Sequence, residues 1–325
     1  MSKLQKFLFE DLPIRGALVR LTDAWQEILS RQKQSSNQED SNLALLSPAV
    51  SELVGEMSAA AILLHTTIKF DGTLILQIQG DGPLKLSVAE VRSDMGLRAT
   101  AKVDGKVPPL ARIDELCNVN GQGLCAIILD PQNRKPGQHP YQGVVPLNDE
   151  NGQPLTHLST IIEGYMQQSE QLPTHIILAA NNDCAAGLLI QRLPTQGDKN
   201  LGESEKEQMD EAFQRIATLA KSLKHDELLQ LDTQEILHRL FWQEELRLFD
   251  DVLQPYFCCS CSRERVADML RGLGQEEVDH IMHEQGKADV TCDFCGALYS
   301  FDPVDLQTLF EKDDGKHPPA SQNLQ

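Results

Sequence analysis

The spacing of apolar residues along this chain changes period several times, and each change marks an element. Ile14–Leu21 reads as a strand, and Thr22 is placed to cap a helix running to about Ser30. The polar stretch from Gln32 to Asn42 predicts a loop. Ser47-Pro48 opens a helix with proline at its first position, where the missing N–H costs nothing. Val50, Leu53, Val54, Met57, Ala61 and Leu64 then recur at helical spacing. Thr73–Gln79 alternates as a strand and runs into a turn, Gly80-Asp-Gly-Pro83. Further strands are predicted at Leu84–Val91, Leu97–Val103, Leu124–Leu129 and Tyr141–Leu147, and a helix over 156–168. His175–Ala180 and Cys184–Ile190 flank Asn181-Asn-Asp183 as a hairpin. Residues 1–194 therefore predict an α+β domain with a mainly antiparallel sheet.

A different pattern follows. Ser204-Glu-Lys-Glu207 is a capping box. Met209, Phe213, Ile216, Ala220 and Leu223 come after it at steps of four, three, four and three, a single narrow apolar stripe on a charged helix. Asp232-Thr-Gln-Glu235 opens a second helix carrying Ile236, Leu237, Leu240 and Phe241. Helices with so narrow a stripe depend on docking, because propensity alone barely holds a short helix in water. They are expected to melt if the surface beneath them moves, although an ordinary solvated linker carries the same pattern.

Charge sharpens the division. Residues 1–194 carry −5, residues 195–254 carry −7 with 21 charged positions in 60, residues 255–312 carry −6, and the tail 313–325 carries −1. The chain thus predicts a core domain, a charged metastable helical linker, a small third domain and a polar tail. With −19 overall and a pI near 4.8, it would be repelled by phosphate backbones and anionic lipid. No basic patch offsets this, which argues against nucleic acid. No apolar run is long enough to span a membrane. The opening MSKLQKFLFEDLPIRG lacks the apolar core and cleavage site of a secretory signal, so the expected location is the reducing cytoplasm. Gly80-Asp-Gly-Pro83 lacks the lysine and following helix of a phosphate loop, and His65, His139, His157 and His175 lie near no nucleophile motif. Nothing here points to an enzyme.

Chemistry concentrates in the cysteines. Of eight, Cys258, Cys259, Cys261, Cys292 and Cys295 lie within 38 residues, whereas Cys117, Cys125 and Cys184 are scattered. Cys125 sits in an apolar run and reads as a small core residue. Cys259-Ser-Cys261 and Cys292-Asp-Phe-Cys295 have the spacing of paired metal ligands, and four thiolates suit one tetrahedral zinc. A thioredoxin-like motif would need a helix beginning at Cys292, whereas Gly296 leads into a strand. His280 and His283 are candidate substitute ligands but read as helix surface. Between the pairs the sequence predicts helices at Arg263–Leu270 and Glu276–Glu284, closed by Gly272, Gly274 and Gly286. A strand at Ala297–Phe301 and a helix from Asp302-Pro303 follow. The site is open to two readings: a structural zinc ribbon serving as an interaction module, or a redox switch. A C-x-C disulfide is strained and hence labile. A 58-residue module should also depend on its metal, so oxidation would eject the ion and unfold it.

Phe257-Cys-Cys-Ser-Cys-Ser-Arg-Glu-Arg265 and Val290-Thr-Cys-Asp-Phe-Cys-Gly296 closely resemble the redox-switch domain of the heat shock protein 33 family of bacterial chaperones. The resemblance extends to Phe70-Asp-Gly72, Gln79-Gly-Asp-Gly-Pro83, Tyr141-Gln-Gly-Val-Val-Pro146, Ser169-Glu-Gln-Leu-Pro-Thr174 and Arg239-Leu-Phe241, nearly the whole chain. It implies an ATP-independent holdase whose reduced, zinc-bound form is inactive. Oxidation would form the disulfides Cys259–Cys261 and Cys292–Cys295, release zinc and unfold the linker. The protein would then hold unfolding proteins against aggregation, often as a homodimer. The stripe Met209, Phe213, Ile216, Ala220 and Leu223, and a core face beneath it, are the candidate client-binding surface. The extra Cys258 and the long Gln32–Asn42 loop depart from the family pattern.

Overall fold

The computed structural model describes residues 1–35, 47–134, 137–194 and 203–311, which form two compact units, Met1–Cys258 and Cys259–Gln325. In chain order the first unit holds β1 (Lys3–Phe9), β2 (Ile14–Leu21), α1 (Asp23–Ser35), α2 (Pro48–Thr67), β3 (Gly72–Gln79), β4 (Leu84–Arg92) and β5 (Gly96–Val103). It continues through α3 (Ile113–Cys117), β6 (Leu124–Pro131), β7 (Tyr141–Pro146), α4 (Leu158–Gln168), β8 (Thr174–Ala180) and β9 (Ala185–Arg192). Three helices, α5 (Glu203–Lys221), α6 (His225–Gln230) and α7 (Thr233–Phe241), and two short strands, β10 (Leu246–Leu248) and β11 (Tyr256–Phe257), complete it.

The strands make a five-stranded sheet, β10-β1-β2-β9-β8, and a six-stranded sheet, β11-β5-β4-β3-β6-β7. All pairings in them are antiparallel except β11 with β5. Helix α2 touches strands of both sheets and is buried nearly all round, which is why its sequence carries apolar residues on every face. Pro48 begins it, as its fixed φ allows. Gly80–Pro83 is a turn: a side chain at Gly80 or Gly82 would collide with the backbone of Cys117 or Leu116. The Gln32–Asn42 stretch is helical up to Ser35, and its remainder, like the tail 313–325, lies outside the described residues.

The second face of the five-stranded sheet is covered by α5, α6 and α7. Phe213, Ile216, Ala220 and Leu223 of α5 and Ile236, Leu237, Leu240 and Phe241 of α7 form one core with Phe7, Phe9, Ile14, Leu18, Ala186, Leu188 and Ile190. Met209 is half-buried at the start of the stripe. Phe241 packs edge-on with the Phe9 ring and tilted against the Phe7 ring, at centroid distances of 5.1 and 6.2 Å. Arg20 reaches across from β2 to the carbonyls of Leu229 and Leu231, fixing the α6–α7 connection. Asp232 caps α7 by accepting from the Gln234 N–H. The side chains of 203–206, where the capping box falls, lie outside the described residues. None of the described helices is long and apolar enough to cross a membrane.

The second unit contains α8 (Arg263–Leu273), α9 (Gln275–Gln285), β12 (Ala288–Thr291), β13 (Leu298–Phe301) and α10 (Pro303–Glu311). Ser262 caps α8, and Gly274 and Gly286 close α8 and α9 at positive φ. Its core is small: Ala267, Leu270, Val278, Ala288, Phe301, Leu306 and Leu309 are its buried members.

Phe241→Ala removes the ring that joins α7 to Phe7 and Phe9, a change that costs about 3–5 kcal/mol in a packed core. The expected result is selective loosening of 203–241, read as faster amide exchange and new protease cuts there. Amides of β2, β3 and β9 should stay protected; a uniform loss across both sheets would show instead that α5–α7 and the sheets fold as one cooperative unit.

Candidate metal centre

Two short loops carry the four paired cysteines. Cys259 and Cys261 lie in the extended segment between β11 and α8, which is tied to the helix by Arg265 donating to the Ser260 carbonyl at 2.8 Å. Cys292 and Cys295 lie in the turn of the β12–β13 hairpin. There Cys292 N–H donates to Ala297 O at 2.9 Å, and Gly296 N–H donates back to Cys292 O at 2.8 Å. Gly296 has φ +70°, a conformation glycine adopts freely, and this folds the turn so that both sulfurs face one side.

The result is convergence. All four Sγ atoms lie within 4.8 Å of one another, Cys259 and Cys292 at 3.7 Å and Cys261 and Cys295 at 3.3 Å. Zinc–thiolate bonds of about 2.3 Å in a tetrahedron put sulfurs about 3.8 Å apart. The donor set and its spacing therefore fit a zinc ion without rearranging the loops. Cys258, His280 and His283 are not in the cluster. Cys258 instead follows β11, its N–H bonded to Leu97 O at 2.9 Å in the first unit.

Without a cation the site resists charge. Burial pushes the Cys292 thiol up to about 11 and the Cys295 thiol higher still. Burial also raises Cys261, but hydrogen bonds from Tyr299 and the neighbouring sulfurs outweigh it and hold that thiol below its ordinary value. Tyr299 Oη donates to Cys261 Sγ at 3.1 Å. Sequence reading missed Tyr299, because an aromatic residue in a short strand looks like core. Elsewhere, burial pushes Cys117 and Cys125 up to about 12, which fits inert core thiols. Phe213, Ile216, Ala220 and Leu223 are brought together with the sheet rather than with the cysteines.

Fold and site together define a class: an α+β protein with a helical segment packed on one sheet and a small C-terminal unit built around a four-thiol centre. A family model described as Hsp33 protein matches residues 2–302. The 33 kDa chaperonin of Chromobacterium violaceum is 40% identical over 314 residues, covering 96% of this chain and 95% of that protein. That of Methylobacillus flagellatus is 41% identical over 309 residues, covering 94% of each. The chain belongs to the Hsp33 family. A solved structure of the 33 kDa chaperonin of Thermotoga maritima, a heat shock protein 33 homologue, superposes with a TM-score of 0.70 at 20% identity, covering 95% of this chain and 98% of that one, and shows the same fold.

Metal uptake by thiols releases protons, so its pH dependence has a definite sign. Cys292 and Cys295 are held protonated, and zinc must displace those protons. Apparent zinc affinity should therefore rise between pH 6 and pH 8, by at most about tenfold per pH unit for each proton released. Competition titration with a chromogenic chelator reads this directly. An affinity flat across that range would mean that thiols are not the ligands.

Proposed function

We propose that this protein is a redox-regulated, ATP-independent holdase chaperone. Cys259, Cys261, Cys292 and Cys295 would hold one zinc ion in the reduced, inactive form. When bound, the ion neutralises the thiolates and ties the C-x-C segment to the β12–β13 turn. The observation that carries the reading is the convergence of those four sulfurs in a unit whose described hydrophobic cluster has seven buried members. Such a unit has little else to hold it, since structural zinc contributes on the order of 10–16 kcal/mol in small peptides.

Oxidation by hypochlorous acid would proceed within each pair. Two thiolates lose two electrons to form one S–S bond, and the oxidant leaves as chloride and hydroxide. Disulfides at Cys259–Cys261 and Cys292–Cys295 would remove all four ligands and release the ion. In this reading the 203–241 segment then undocks. That would uncover the stripe Phe213, Ile216, Ala220 and Leu223, together with Phe7, Phe9, Leu18, Leu188 and Ile190 on the sheet. Both faces are continuous apolar surface suited to unfolding proteins. The family's chaperonin names and the absence of a catalytic constellation in the sequence support a binding rather than an enzymatic role. We place the protein in the cytoplasm, as a homodimer when oxidised, without nucleic acid or membrane as partner.

The test follows zinc, thiols and clients in one sample. Hypochlorous acid should release one zinc per chain with the loss of four thiols, leaving Cys117, Cys125, Cys184 and Cys258 reduced. The same treatment should switch on suppression of citrate synthase aggregation without ATP. Full suppression by the reduced, zinc-loaded protein would refute the switch. No suppression in either form would refute the chaperone reading and favour a purely structural zinc module.

A further inference from the structure

Alternation along β1 and β2 puts Lys6, Leu8, Arg15 and Ala17 on the face of the five-stranded sheet that carries α2. Helix α2 stops over this face at Thr67, whose carbonyl accepts from Arg15 Nη2 at 2.8 Å. Beside that helix end lies a cavity of about 220 Å³. Leu8, Ala17, Leu189 and Phe249 form its apolar walls, and Lys6 and Arg15 supply its charge. No Asp or Glu lines it among the described residues. On a chain of net charge −19, a cavity bearing positive charge alone is unusual.

The donors of the two cations can be followed one by one. Arg15 Nε donates to Gln191 Oε1 at 3.0 Å, and Nη2 donates to the same oxygen and to Thr67 O. Gln191 is fully buried and its amide donates to Thr174 Oγ1 at 2.8 Å, which fixes the oxygen that receives Arg15. Three of the five guanidinium N–H groups are thus used. The two on Nη1 have no partner among the described residues, and no carboxylate there pairs with Arg15. Burial accordingly pulls the guanidinium below its ordinary pKa, with no opposite charge to offset it. Lys6 lies diagonal to Arg15 in the β1–β2 register, within reach of the same point. Its Nζ sits 5.6 Å from the centroid of the Phe249 ring and likewise pairs with no carboxylate among the described residues. Half-buried cations left without an anion are costly, and an anion in the cavity would remove that cost.

We infer that this cavity is a binding site for a small organic anion with an apolar body, an aryl or short-chain carboxylate. Its charged end would lie between Arg15 Nη1 and Lys6 Nζ, and its body against Leu8, Ala17, Leu189 and Phe249. Volume sets the size. A dry cavity of about 150 Å³ takes benzene, so about 220 Å³ has room for one ring and a carboxylate. Sulfate or phosphate would satisfy the charge but leave the apolar walls against water, and a nucleotide is too large for the space. The site lies wholly within the first unit and stands whether or not the protein is a holdase.

Calorimetric titration of the reduced, zinc-loaded, full-length protein with phenylacetate tests it. One phenylacetate should bind per chain with a Kd below about 1 mM. 2-Phenylethanol, which has the ring without the charge, and sulfate, which has the charge without the ring, should each bind at least about tenfold more weakly. Lys6→Met should weaken phenylacetate about three- to tenfold, and Arg15→Met about ten- to hundredfold. Arg15 also holds the end of α2, so should R15M fail to fold, K6M and amide-resolved NMR of the wild type decide. The shifts that phenylacetate causes there should gather at residues 6–8, 15–17 and 189. No binding, wild-type affinity in K6M, or shifts gathered elsewhere in the chain overturns the proposal. Phenylethanol bound as tightly as phenylacetate shows a merely apolar cavity, sulfate bound as tightly shows a merely cationic one, and either result equally overturns it.

Discussion

Four thiols within 4.8 Å of one another can be stable in two conditions: with their protons on, or with a cation among them. Two thiolates 4 Å apart repel by about 4 kcal/mol at the effective dielectric of a partly exposed site. Burial raises the Cys292 and Cys295 thiols, and the neighbouring Cys259 sulfur raises Cys292 further. The described hydrophobic cluster of the unit, seven buried side chains of which two are alanines, gives little to set against it. The site's geometry would therefore be linked to its occupancy: a divalent ion would turn mutual repulsion into cohesion, and removing either the ion or the thiolates would remove it.

The five-stranded sheet carries a second, independent form of marginality. One of its faces packs against α2 in the main core, and the other packs against α5, α6 and α7 through Phe7, Phe9, Phe213 and Phe241. The first contact uses a helix buried nearly all round; the second uses helices whose outward faces are charged and exposed. Losing the second layer would leave a sheet still backed by its main core. A surface that can be uncovered without unfolding the body that displays it is the physical requirement for a binding face held in reserve.

Much of this was legible in the sequence, and the exceptions have physical causes. Ile14–Leu21, the Pro48 helix start, the strands from Thr73 to Leu147 and the Asp232 cap depend on local alternation or capping and stand where their patterns place them. The four-thiol cluster was legible because ligand spacing is local within each pair. Strand β1 was not, because Leu4 enters one core and Phe7 and Phe9 the other, so no single face alternates cleanly. Strands β10 and β11 have three and two residues and exist only through pairing with Phe7–Phe9 and Gly96–Leu97. Likewise the 3.1 Å bond from Tyr299 to Cys261, residues 38 apart, has no local signature.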